Sequence, residues 1–245
     1  MIYNTRFNPT VNGPLHLGHL YAVLVNYHEA RRSGGNFILR FDDTQRSWNH
    51  RIGYARVEGF RRQMLDDLSW LGIVPDRVSS QSDMIQEVEY LLRNEFGYQP
   101  DREAYSTDPG AEVVGFSHQV YPYTDRLTSE KVVMDMLDGA NWIIRGYDLI
   151  TEDCLYKHYC SKFLIFQPRM TYIPRLNFSG GGIISKTDGN YKIEDFRRAG
   201  IDPEVLLDSL AADCLRDDRE GWAVGNIMAH PTLSAWADEV LCVPS

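Results

Sequence analysis

Two histidines three residues apart, His16 and His19, follow directly on a loop that Pro9, Gly13 and Pro14 keep out of regular structure, within the stretch R-F-N-P-T-V-N-G-P-L-H-L-G-H-L from Arg6 to Leu20. An apolar helical pattern begins immediately afterwards, so the spacing predicts both imidazoles in the first turn of a helix, on one face. A helix start offers unpaired N–H groups and the positive end of the peptide dipole. With two imidazoles beside it, it makes a seat for phosphate that needs no glycine-rich loop. Glycines appear much later, in F-S-G-G-G-I-I-S-K-T-D-G, where three of them precede an apolar pair and Ser185-Lys186. That composition predicts a loop able to approach a ligand closely.

The elements that must position these residues read as an α/β protein. Met1 to Phe7 alternates as a first strand, carrying Arg6 to the carboxyl edge of a sheet, where ligands of such folds bind. Leu17 to Arg32 carries a helical stripe of Leu20, Val23, Leu24 and Tyr27, ended by Ser33-Gly34-Gly35, and Asn36 to Phe41 follows as a second strand. Strand, helix and strand in so short a span make the βαβ unit of a parallel sheet. Asn49 to Leu71 is predicted helical with Ile52, Phe60, Met64, Leu68 and Leu71 buried and Trp70 packing, and Asp83 to Phe96 forms another amphipathic helix. From Gly97 to about Tyr123 the period is lost in turn-rich polar sequence. Helix returns over Thr128–Leu137, then Gly139 and a strand over Asn141–Arg145, and a helix over Thr151–Leu164.

Composition bounds the function classes. The 245 residues can bury a full core, and no apolar run is long enough to span a bilayer. The N-terminal M-I-Y-N-T-R runs straight into the histidine stretch and leaves no room for a signal peptide, so a cytoplasmic protein with no membrane partner is expected. A formal charge of -9 gives nucleic-acid binding no support, although a local basic patch stays compatible with it. Cys154, His158 and Cys160 lack the paired C-x-x-C spacing of a zinc site. They read, with Cys214 and Cys242, as reduced thiols; no zinc is expected.

The H-L-G-H tetrad, with the Arg ten residues before it and Pro9, Thr10 and Gly13 in order between, resembles the signature of class I aminoacyl-tRNA synthetases, in their glutamyl/glutaminyl branch. L-R-F-D-D-T resembles the family's L-R-I-E-D-T, L-S-W-L-G-I resembles its L-x-W-L-G, and V-V-M-D-M-L-D-G-A-N-W-I-I-R-G-Y-D-L resembles its V-V-D-D-x-L-x-G-V-T-H-V-I-R-G-x-D-L. Ile184, Ser185 and Lys186 fall on the M/L, S and K positions of the second signature, with Ile183 replacing its first Lys. K-I-E-D-F-R-R-A-G-I-D-P-E-V-L-L-D-S-L-A follows at the spacing of glutamyl synthetases. The resemblance covers roughly residues 2 to 213 and is patchy between 97 and 127. It implies a Rossmann-like doubly wound parallel sheet formed by residues 1–96 and 128–190, a reduced connective insertion at 97–127, and a helical segment at 191–245. No anticodon-binding domain is expected, as in the truncated glutamyl-queuosine branch.

The resemblance also implies a chemistry: ATP, accompanied by Mg²⁺, activates an amino acid to an aminoacyl adenylate. His16, His19 and Lys186 would be catalytic, with Pro9, Gly18, Ile184 and Ser185 completing the ATP site. Arg6, Thr10, Asp42, Lys131 and Arg145 would bind the substrate. Asp42 stands where the family's Glu receives the amino group, and Arg145 where its Arg holds a side-chain carboxylate, which a guanidinium can clamp through two parallel hydrogen bonds. Counted back from Arg145 without gaps, the family's Tyr and Asn of that pocket fall on Leu127 and Lys131, so glutamate is favoured as substrate but the pocket is altered. The adenylate would pass to a tRNA acceptor end, to a modified tRNA base, or to another acceptor, with a separate tRNA-binding protein in trans a further partner. Two rivals are a small-molecule nucleotidylyltransferase, which pairs F-x-P with H-x-G-H but does not account for Ile143 to Leu149, and a non-catalytic paralogue that keeps the fold for binding.

Overall fold

The computed structural model describes residues 1–44, 53–98, 122–173 and 191–214. Five strands form one sheet: β1 (Thr5–Phe7), β2 (Phe37–Phe41), β3 (Arg77–Ser80), β4 (Trp142–Gly146) and β5 (Arg169–Ile173), in the order β3-β2-β1-β4-β5. All pairings are parallel, with Thr5 opposite both Phe37 and Trp142. The chain builds outward from β1 through β2 to β3, then returns to lay β4 and β5 on the other side. The switch between β1 and β4 opens a crevice at the carboxyl ends of the strands. The expected α/β, Rossmann-like parallel sheet is what the chain forms.

Helix α1 (Leu17–Ser33) makes the first crossover. It ends because Gly34 takes a left-handed conformation, φ 72°, and its N–H returns to the Ala30 and Arg31 carbonyls. A side chain on the next residue, Gly35, would run into the Tyr3 carbonyl, so a second glycine lets the chain pass tightly beside β1. Helices α2 (Tyr54–Trp70), α3 (Gln81–Asn94), α4 (Pro122–Asp138), α5 (Asp153–Lys162), α6 (Ile193–Arg198) and α7 (Pro203–Cys214) follow, with a 3-10 turn at Tyr147–Glu152 ahead of α5. Strand alternation sorts the sheet into two faces. Phe37, Leu39, Phe41, Trp142 and Ile144 join a core with α1, α2, α6 and α7, while Val132, Val133, Met134, Tyr156, Tyr159 and Cys160 form a second core with α3. The face of the sheet toward α4 and α5 carries Arg6, Arg40 and Arg145, each 6% exposed or less.

Three elements differ from expectation. Strand β3 is absent from the sequence reading because it is an edge strand whose first residues, Arg77 and Val78, are exposed. It is anchored by Asp76, which exchanges backbone and side-chain hydrogen bonds with Phe37. Helix α4 starts at Pro122, not Thr128, and its inward positions include Arg126, Ser129, Glu130, Asp135 and Asp138, so an apolar stripe under-reads it. The helix expected from Thr151 is divided into the 3-10 turn and α5. Met64, Leu68 and Leu71 are buried and Phe60 and Trp70 pack against them as expected, while Ile52 lies outside the described residues.

Asp67 of α2 is fully buried, neither of its carboxylate oxygens accepts a hydrogen bond, and Arg197 of α6 stands 3.4 Å away. Burial pushes its carboxyl from 3.8 up to about 6, with Arg197 only partly offsetting. The folded chain therefore holds this proton more tightly than the unfolded one. The contribution of this one group to stability is fully present below pH 3.8 and is lost as pH rises through about 6. Asp67→Asn is expected to be more stable than the parent by about 1–3 kcal/mol at pH 8, with no such gain at pH 4 or below, read as a shift of the urea midpoint.

Candidate functional site

The histidine stretch folds differently in detail from a plain helix start. His16 is the N-cap of α1, not a first-turn residue: its Nδ1 accepts from the Gly18 N–H at 3.1 Å, and its own N–H donates to Nδ1 of His19 at 3.3 Å. The two rings stack with centroids 3.8 Å apart. The Leu17 N–H is taken by the Tyr191 carbonyl, and the His19 and Leu20 N–H groups turn back to the His16 carbonyl. The unpaired N–H groups expected to meet a phosphate are thus spent on capping. What the arrangement supplies instead is a pair of imidazoles in one tautomer: each Nδ1 uses its lone pair as an acceptor, so each neutral ring carries its proton on Nε2 and offers an N–H donor there. Phe7 at the end of β1 packs edge-on to His19 and fixes the height of the pair above the sheet.

Chain returning from the glycine loop closes on the same point. Ile193 donates to the Leu15 carbonyl, and His16 forms an antiparallel bridge with Lys192. Ile184, Ser185 and Lys186 themselves lie outside the described residues.

The loop after β1 is pinned to the end of β2. Asp42 donates its N–H to the Pro9 carbonyl at 2.9 Å and accepts from Val11 at 3.1 Å, pairing Thr10 with Asp42. Pro9 is buried, and Thr10 and Gly18 are half-buried beside it. Burial raises the Asp42 carboxyl above its ordinary range, while the positive charge of Lys131, on α4, opposes the shift. Lys131 is half-buried on that helix. Leu127 belongs to the same helix, one turn earlier. The Thr44 hydroxyl, within reach of Asp42, donates to Gln81 Oε1 at 3.0 Å, and Asn8 Oδ1 accepts from Gln81 and from the Arg40 Nε.

The floor beneath is a buried ionic network that the sequence reading did not contain. Asp135 accepts from Arg6 Nε at 2.8 Å and Nη2 at 3.2 Å, from Arg40 Nη2 at 2.7 Å, and from the Tyr156 hydroxyl at 2.8 Å. Arg40 Nη1 reaches Asp138 at 2.7 Å, and Arg77 meets the same carboxylate at 3.3 Å. Burial works against the Asp135 carboxylate, but Arg6 and Arg40 overcome it and hold the carboxyl well below the usual range. The Tyr156 hydroxyl is driven up by burial and by the same carboxylate, so it stays a donor. Arg6, expected to present its fork to a substrate, turns both atoms of that fork inward to Asp135. A signal existed: an Arg inside the apolar strand F-I-L-R-F must find acids, and V-V-M-D-M-L-D carries two on one helical face.

Arg145 closes the row at the end of β4. It is 6% exposed, its Nη1 meets Glu152 at 3.2 Å, its Nη2 donates to the Tyr172 hydroxyl at 3.3 Å, and its Nε, buried, has no hydrogen-bond partner among the described residues. Tyr172 in turn donates to Asp153 at 2.8 Å. Tyr172 and Glu152 were also missed, since neither has a pattern of its own. Cys160 is buried in the second core with its thiol pushed up to about 11, as a packing residue would be, and Cys154 is exposed. His16 and His19 thus follow the loop after β1, Asp42 stands at the end of β2 and Arg145 near the end of β4, with Arg6 turned inward beneath them.

This is the architecture of the class I synthetase catalytic domain. A glutamate tRNA ligase from Elizabethkingia meningosepticum, solved in complex with its amino acid, superposes with a TM-score of 0.65 over 98% of this chain and 69% of its own at 17% identity. A tyrosyl-tRNA synthetase from Archaeoglobus fulgidus, complexed with L-tyrosine, gives 0.59 over 98% and 87% at 14% identity; at these identities the likeness is one of fold. Sequence similarity points more narrowly, to the glutamyl and glutaminyl branch. Residues 3–102 match the family described as tRNA synthetases class I (E and Q), catalytic domain. Glutamate–tRNA ligase 2 of Neorickettsia sennetsu is 30% identical over 91% of the chain and 56% of its own length. Glutamate–tRNA ligase 2 of a Jannaschia species is 25% identical over 84% and 59%. The chain therefore spans little more than half the length of these curated relatives. Among the described residues no helix is long and apolar enough to cross a membrane.

Proposed function

We propose that the chain activates glutamate with ATP to glutamyl adenylate and passes the glutamyl group to tRNA. The observation that carries this reading is the stacked His16–His19 pair, both rings locked with Nε2 as donor, at the mouth of a crevice whose other polar groups suit a dicarboxylic amino acid. An oxygen of the amino acid α-carboxylate attacks the α-phosphorus of ATP; that bond forms as the bond to the β-phosphate oxygen breaks, and pyrophosphate leaves. Negative charge grows on the phosphate oxygens, where fixed N–H donors stabilise the transition state without reorganising. His16 and His19 give those donors from one side. Lys186, which lies outside the described residues, would give a cation from the other side.

Asp42 would receive the substrate ammonium with Thr10 beside it, and Arg145 would clamp the side-chain carboxylate, with Arg6 adding charge from the floor and Lys131 acting across the crevice. Mg²⁺ would arrive on the nucleotide, since no group of three or more acids, thiols and imidazoles among the described residues can hold a metal alone. When bound it supplies charge to the phosphates. With an acidic chain of net charge -9, productive tRNA contact would draw on a local basic patch or a tRNA-binding partner in trans.

Radiolabelled glutamate with ATP, followed with and without total tRNA, tests the acceptor. Label in acid-precipitable RNA only when both ATP and tRNA are present is the expected result. Label retained as adenylate but never in RNA would remove tRNA as the acceptor and leave activation standing.

A further inference from the structure

The three guanidiniums on the α4 face are not equivalent. Arg6 gives Nε and Nη2 to Asp135, and Arg40 divides its donors among Asp135, Asp138 and Asn8. Arg145 is 6% exposed, yet its Nε is unpartnered among the described residues and its other two contacts are long, 3.2 Å to Glu152 and 3.3 Å to Tyr172. A guanidinium binds a carboxylate best through two parallel bonds, and Arg145 has one carboxylate contact, through Nη1 alone, among the described residues. Glu152 already holds one corner of the guanidinium. It closes the 3-10 turn, its side chain is 25% exposed, and Arg145 is its ion-pair partner among the described residues. One long contact from a part-exposed side chain is a weak hold, because water can take the carboxylate back at small cost.

We propose that Glu152 is a specificity-determining residue, an internal carboxylate that occupies the Arg145 seat and is displaced into solvent when an acidic amino acid enters. The inference rests on the reading of Arg145 as the side-chain clamp. Its consequence is selective. A substrate carboxylate must expel a like charge to reach Arg145, whereas a neutral carboxamide can accept from Arg145 and donate to Glu152 without expelling it. Glu152 therefore weakens binding of the acid without repelling the amide, a selectivity that a purely structural residue would not give.

Isothermal calorimetry with L-glutamate and L-glutamine on the full chain, without ATP, tests this directly. Glu152→Gln is expected to tighten glutamate binding roughly tenfold and to change glutamine binding less than twofold. Glu152→Asp, which draws the carboxylate back from Arg145, moves glutamate in the same direction by less and guards against a folding defect in the first variant. Unchanged or weaker glutamate binding in both variants, or equal changes for glutamate and glutamine, would overturn the role of Glu152. Pyrophosphate exchange measured alongside separates the two claims. Tighter binding without exchange would keep Glu152 and discard adenylate formation, while exchange with glutamate binding unmoved by either variant would do the reverse.

Discussion

Asp135→Asn is expected to lower the free energy of unfolding by about 3–5 kcal/mol, read from the urea midpoint at constant slope. The side chain is buried, with 2% of its surface exposed, and accepts four hydrogen bonds from Arg6, Arg40 and Tyr156. Taking two guanidiniums out of water is costly, and their partners offset that cost only while the negative charges remain. Asn keeps the shape but removes the charge. Arg40 then retains Asp138, whereas Arg6 loses the carboxylate it is hydrogen-bonded to among the described residues. The pH dependence follows the same logic. The folded carboxyl titrates below its unfolded value of 3.8, so its contribution is present above that pH and is lost as pH falls further. The gap between parent and variant should therefore narrow in strong acid. Because Arg6 and Arg40 form the floor of the crevice, the variant should also bind glutamate more weakly under conditions where it remains folded.

Removing the Nε2–H of either histidine is expected to slow adenylate formation by about 10²–10³, by analogy with the loss of one oxyanion donor. His16 needs a chosen replacement because it also caps α1, and Ala there would cost about 0.5–2 kcal/mol of stability in addition. His16→Asn keeps a side-chain acceptor for the Gly18 N–H and discards the donor, so it should unfold with the parent yet lose exchange activity. His19→Gln carries an amide nitrogen close to the position of Nε2 and should recover part of what His19→Ala loses. Equal activity in His16→Asn and the parent, under saturating ATP, would remove His16 from the phosphate site.

Much of this was legible in the chain. The βαβ unit follows from period and from Gly34-Gly35, and the placement of Arg6, Asp42 and Arg145 at strand ends follows from where the runs F-I-L-R-F and W-I-I-R-G stop. Other parts were not legible for physical reasons. His16 has two uses, as cap and as imidazole, and only the geometry shows that capping consumes the N–H groups that a phosphate would otherwise meet. The Arg40 network joins residues 95 and 98 positions apart, which no local pattern encodes. Strand β3 is held through Asp76 and its ladder to β2, while its own first residues face solvent. The start of α4 was obscured by the polar residues it buries; polarity marked a loop where it marks an internal salt-bridged face.

Amino-acid-dependent ATP–pyrophosphate exchange, run on the full chain across the twenty amino acids, reaches the central claim with the fewest intermediaries. The account predicts exchange stimulated by glutamate and abolished in Arg145→Ala. Stimulation by an uncharged amino acid alone, or exchange indifferent to any amino acid, would contradict it.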